Sequence, residues 1–165
     1  MRRMIVLFVG LVTLTVIVVV GQLPTDNVAE TAAEPAKASI VDPPRAAPEP
    51  RFSRTTYGLT NLDGSNEMLD ECKGPVAVWL GEDRPTLVAE HDYCGGMFWM
   101  ARLKEGDAVK LDGKGVDDGL FVVTSRKYET RNQVTVEDLP EADVVLQTCV
   151  TETRLVLVGM ERFEA

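Results

Sequence analysis

Asp143-Val144-Val145-Leu146-Gln147-Thr148-Cys149, then Val150-Thr151-Glu152-Thr153, then Arg154-Leu155-Val156-Leu157-Val158-Gly159: two apolar, β-branched runs lie on either side of a short polar loop. Such runs, bounded by Thr, Glu and Gly, are strand signals, and so short a connection makes an antiparallel hairpin the compact solution. Working outward, residues 76–80 and 86–90 flank Gly81-Glu82-Asp83-Arg84-Pro85, which has the chemistry of a hairpin turn. Residues 107–111 and 120–125 are again β-branched and are separated by Asp112-Gly113-Lys114-Gly115 and further turn residues. Helical periodicity is confined to a turn or two around 97–103 and around 136–139. The expected fold is therefore a mostly β barrel or sandwich with one or two short helices and no internal repeat.

The folded part spans 52–165, which is long enough to bury a core without metals or many crosslinks. The formal net charge of the chain is -9. All of that excess falls in 52–165, because the acidic and basic residues before Phe52 balance. A phosphate backbone needs a basic stripe and none is present, so nucleic acid is not an expected partner.

Arg2 and Arg3 precede an uncharged run over 4–20 rich in Val, Ile and Leu. As a helix it would be roughly 25 Å long, enough to cross a thin bilayer. Residues 1–23 are thus read as a cytoplasmic stub and single-pass membrane anchor. The arginines stay inside and the remainder is extracytoplasmic. A cleavable secretory signal is the competing reading, but the apolar run is longer than a usual signal core and no small-x-small site follows directly. Residues 24–51 carry six of the nine prolines together with Ala and Glu. They read as a disordered tether that holds the domain on the order of 30 Å from the membrane.

The chain contains one histidine. Any proton transfer through imidazole must therefore use His91, although a lone histidine at a strand end is commonly structural. Cys149 ends one strand and Arg154 opens the next. The hairpin can set them opposite each other on one face, about 5 Å apart at Cβ. A guanidinium there would favour the thiolate and offer donors to an oxyanion. The plain alternative is a buried free cysteine beside a surface arginine.

Leu146-Gln147-Thr148-Cys149, followed by an arginine leading a β-branched strand, resembles the sortase signature. Upstream, His91 at a strand end followed by Phe98-x-x-x-x-Leu103-x-x-Gly106-Asp107-x-Val109 resembles the sortase segment that joins the catalytic histidine to a Leu-x-x-Gly-Asp turn. The blocks occur in the family's order and cover most of 76–162. The resemblance implies a closed eight-stranded barrel and a membrane-anchored transpeptidase acting on a sorting signal. Cys149 would be its nucleophile, His91 its acid and Arg154 its oxyanion partner, with Thr148 a candidate substrate contact. It implies a sorting-signal peptide and an amine acceptor, a wall crossbridge or a pilin lysine, as partners, and no cofactor. Two features depart from the family: the Cys149-to-Arg154 interval is short, and 51–76 gives little match to its early strands. A non-catalytic adaptor on the same barrel and a sortase-like peptidase are the alternative functions.

Cys72 and Cys94 remain, and in an exported chain they are the natural disulfide pair, worth about 3 kcal/mol by chain entropy. A bond between Cys94 and Cys149 is the alternative and would abolish the thiol chemistry. Three cysteines and one histidine form a legal zinc set, but only His91 and Cys94 have ligand-like spacing, so no metal is expected. Gly95-Gly96 is not followed by a phosphate-cradling loop. Asp92 is expected to cap the helix near Met97 or lie at the surface, with orientation of His91 as the lesser option. Trp79, Phe98, Trp99 and Phe121 are expected in the core. The pairs Glu82-Asp83 and Asp117-Asp118 are expected as solvated turns rather than calcium ligands.

Overall fold

The computed structural model describes residues 45–165. The expected membrane anchor over 1–23 and most of the tether over 24–51 lie outside the described residues. Among the described residues no helix is long and apolar enough to cross a membrane.

Among the described residues eight strands form one sheet: β1 (Pro50–Thr56), β2 (Gly58–Thr60), β3 (Val76–Val78), β4 (Thr86–Ala89), β5 (Ala108–Gly113), β6 (Gly119–Thr130), β7 (Val144–Cys149) and β8 (Arg154–Arg162). Their order is β1-β5-β6-β8-β7-β4-β3-β2. The two edge strands are consecutive in the chain and separated by Tyr57 alone, so the sheet wraps round until its edges meet. The result is a nearly closed barrel where a fully closed one was expected. The three expected hairpins form, as β3 with β4, β5 with β6 and β7 with β8, all antiparallel.

The opening stretch of sequence is apolar on both faces of its strands because both faces are covered. Leu146, Val156, Val158 and Met160 point into the barrel and pack with Trp99, Met100, Leu103 and Phe121. Val145, Leu155 and Leu157 point outward, where Val78 and Leu87 join them beneath Val134 and Leu139 of the β6–β7 connection. A strand buried on both faces reads as a continuous apolar run instead of an alternating one.

Several expectations are corrected. β1 begins at Pro50, inside the expected tether, and pairs in parallel with β5. β2 and a short helix α1 (Ser65–Asp70) occupy the stretch that carried no clear signal. Neither shows an apolar periodicity: β2 has three residues, and α1 buries none of its six. The helix expected over 97–103 divides into α2 (Gly96–Trp99) and a 3-10 turn (Met100–Arg102). Trp99 and Phe121 are core, whereas Trp79 and Phe98 are 60% and 64% exposed. Trp79 follows the last residue of β3, where its backbone N–H still donates to the Thr60 carbonyl of β2 at 2.8 Å while its ring stands in solvent, and Phe98 lies on the solvent side of its turn under the Arg102 guanidinium. Both acidic pairs lie in exposed turns.

Candidate functional site

Alternation along β7 turns Thr148 toward the barrel interior and Cys149 outward with Val145. Thr148 is 2% exposed, and a Cβ built on Gly96 would lie 2.4 Å from its Oγ1, so this side chain is packed against the start of α2. Cys149 is a half-buried free thiol. It borders a cavity of about 690 Å³ on the outer face of β3, β4, β7 and β8, walled by α1 on one side and by residues 131–139 on the other. His91, immediately beyond β4, borders the same cavity, as do Glu90 and Arg131. The floor is apolar, built from Val78, Leu87 and Leu155.

Arg154 is not part of that lining. The strand register sets Cys149 opposite Leu155, so Arg154 falls on the other face and its guanidinium lies 5.1 Å from the Tyr128 ring centroid. The expected pairing of Cys149 with Arg154 on one face is thus corrected by one residue of register, which flips a side chain across a sheet. The guanidinium that borders the same cavity as Cys149 is that of Arg131, in the turn after β6, and its charge lowers the thiol's pKa. Its backbone N–H donates to the Thr153 carbonyl at 2.8 Å, tying that turn to the β7–β8 connection.

The thiol is less activated than the sequence implied. Burial pushes the Cys149 thiol above its ordinary value, Arg131 pulls it back in part, and Asp92 pushes it up again. Beside the cavity, the Glu90 carboxyl is 7% exposed and accepts a hydrogen bond from Trp99 Nε1 at 2.6 Å. Its burial raises its pKa against the opposing effects of the Trp99 bond and the Arg54 charge.

His91 is held from a direction the sequence reading missed. Its Nε2 lies 3.1 Å from Asp70 Oδ1, and the Tyr93 hydroxyl donates to the same oxygen at 3.0 Å. The imidazole also stacks on the Tyr93 ring, centroids 4.8 Å apart and planes 17° apart. Asp92 neither caps α2, whose N-cap is Gly95 without a side-chain bond, nor meets that nitrogen. Cys72 and Cys94 form the expected disulfide, which also removes two thiolates from any zinc set. A signal for Asp70 did exist: Asp70-Glu71-Cys72 and His91-Asp92-Tyr93-Cys94 place a carboxylate and an imidazole within three residues of the crosslinked pair. No comparable signal marked Arg131.

Two solved structures are similar to part of this chain. One crystal structure, of Clostridium perfringens sortase C with the C-terminal cell wall sorting motif, is 20% identical with a TM-score of 0.41, over 57% of this chain and 58% of that one. A second, of sortase C from the same organism, is 22% identical with a TM-score of 0.43, over 67% of this chain and 62% of that one. The chain spans less than two thirds of the length of either. No family model matches the chain. No curated protein matches it either.

Proposed function

We propose that this chain is a sortase-like cysteine acyltransferase that cleaves a sorting-signal peptide through a thioester on Cys149 and passes the acyl group to an amine. The observation that carries the reading is one cavity bordered by a free thiol, the chain's single imidazole and a guanidinium, over an apolar floor able to take peptide side chains. Thiol, imidazole and cation are the three parts that nucleophilic acyl transfer needs.

Because burial favours the neutral thiol, the first step is transfer of the Cys149 proton to His91. The thiolate then attacks the scissile carbonyl carbon, and Arg131, on the wall of the same cavity, is the cation for the oxyanion. Collapse breaks the carbon–nitrogen bond, and the leaving amine takes its proton from the His91 imidazolium. An incoming amine attacks the thioester, gives its proton to neutral His91 and expels the thiolate, so the peptide bond energy is conserved without ATP. The acceptor class is a wall crossbridge amine or a pilin lysine. Residues 4–20 would anchor the chain in the cell membrane with this domain outside.

The test is mass spectrometry of the full chain after incubation with a pool of sorting-signal peptides, with Cys149→Ala as the control. An adduct on Cys149 that an added amine releases supports the transferase. An adduct released only by water makes the protein a peptidase, and no adduct with any peptide makes it a non-catalytic adaptor.

A further inference from the structure

The Asp70 carboxylate reaches His91 from a short element held by few contacts besides the crosslink, chiefly Met68 against Gly58 and the Tyr57 hydroxyl donating to Glu71. α1 is six residues long with no buried residue, and Asp70 is its last residue, its side chain 66% exposed. An exposed ion pair of this kind contributes about 0–1 kcal/mol and does not fix a helix end by itself. Two residues further on, Cys72 is bonded to Cys94, three residues past His91. The His91 end of that bridge is stiff, because the His91 carbonyl accepts from Cys94 N–H at 3.1 Å and from Gly96 N–H at 3.0 Å. The crosslink thus makes the meeting of carboxylate and imidazole intramolecular across a very short tether, which raises the effective concentration of one at the other.

We propose that Asp70 is a positioning residue for His91 and that the Cys72–Cys94 disulfide is the clamp that keeps it in place. An ionised carboxylate only accepts hydrogen bonds, so Asp70 requires the proton on Nε2 and leaves Nδ1 as the ring nitrogen that exchanges a proton. Tyr93 supports the arrangement twice, by stacking on the ring and by donating to the same carboxylate oxygen. The oxidation state of two cysteines outside the chemistry thereby sets the tautomer of the one imidazole. The consequence for turnover rests on the acyltransferase reading, whereas the tautomer itself does not.

Because the chain has one histidine, long-range proton–nitrogen correlation spectra of the uniformly 15N-labelled full chain in detergent show one imidazole, with no substrate required. In the oxidised protein, above the pH at which the ring is protonated, the pattern of a single Nε2–H tautomer is expected. Asp70→Ala, and separately wild type reduced with an excess of a dithiol that is itself oxidised to its cyclic disulfide, should both lose that pattern to a mixture of tautomers. Asp70→Ala under reducing conditions should add nothing. Cys72→Ser/Cys94→Ser provides the same comparison without reductant. In the transfer assay the same perturbations should lower turnover by up to about fivefold, the most that one solvent-exposed pair of this kind supplies. An unchanged tautomer pattern on reduction or in Asp70→Ala would overturn the proposal even if transfer is observed. Collapse of the amide spectrum on reduction would overturn it too, since the bond would then be holding the whole fold. Absence of transfer with the tautomer response intact sinks the acyltransferase reading and leaves the clamp standing.

Discussion

Removing the Cys72–Cys94 bond by Cys72→Ser/Cys94→Ser should lower stability by an amount the sequence separation sets. The crosslink joins residues 22 apart. By chain entropy a loop of that length restricts the unfolded state by roughly 3.4 kcal/mol at 25 °C. For a domain of this size the entropy of unfolding near the midpoint is about 0.24 kcal/mol per kelvin, so the melting midpoint should fall by about 14 °C. The double variant is required, because in Cys72→Ser alone the released Cys94 becomes free to oxidise with Cys149. Cys72 also has a φ of 51°, in the left-handed region, and serine in its place keeps the cost of that conformation. Cys72→Gly/Cys94→Ser should therefore recover about 1 kcal/mol of the loss. The assay is thermal unfolding of the full chain followed by circular dichroism, with reduced wild type as a third arm. Reduced wild type and the serine variant should melt together. A midpoint within about 3 °C of the oxidised protein in both arms refutes the reasoning, since the bond would then not restrict the unfolded chain as its loop requires.

Arg131→Ala should slow alkylation of Cys149 by iodoacetamide about threefold at pH 8 and low salt, the effect of one partly screened charge, while Arg154→Ala leaves the rate unchanged. Equal effects, or a larger one at Arg154, would reinstate Arg154 as the cation of the site. Gly96→Ala should destabilise the domain by about 1–3 kcal/mol in denaturant unfolding, because the added methyl meets Thr148 Oγ1 at 2.4 Å and the Glu90 carbonyl at 2.6 Å. A neutral result would mean that α2 can shift away from β7. Glu90→Gln should change how stability depends on pH. The raised carboxyl of Glu90 binds its proton more tightly folded than unfolded, so its contribution is full in acid and is lost as pH rises from the ordinary carboxylate range through the raised value. Glutamine keeps an acceptor for Trp99 and does not titrate, so the variant should gain on wild type as pH rises above the ordinary carboxylate range. A wild type that gains instead would show that the Arg54 charge and the Trp99 bond outweigh desolvation.

Local chemistry determined most of the architecture. The apolar runs at 76–78, 86–89, 144–149 and 155–159, with Gly, Asp and Pro between strands, suffice to specify antiparallel hairpins, because strand propensity and turn geometry are properties of neighbouring residues. Cys149 stood out by its place at a strand end before an arginine and His91 as the single imidazole, which left Cys72 and Cys94 as the expected pair, with Cys94–Cys149 as the alternative until the structure showed the Cys72–Cys94 bond. What only the tertiary structure decided was which charges surround them. One residue of hairpin register moves Arg154 to the far face, and Arg131 arrives from a loop whose path is set by packing across the outer apolar layer. β1, β2 and α1 were illegible for a related reason: they are held by pairing with distant strands and by one covalent crosslink, neither of which leaves an apolar period in the local sequence. Asp70 meets His91 across 21 residues, beside the crosslink that joins the two segments. Electrostatic environment is a sum over space, and a linear sequence records neighbours along the chain alone.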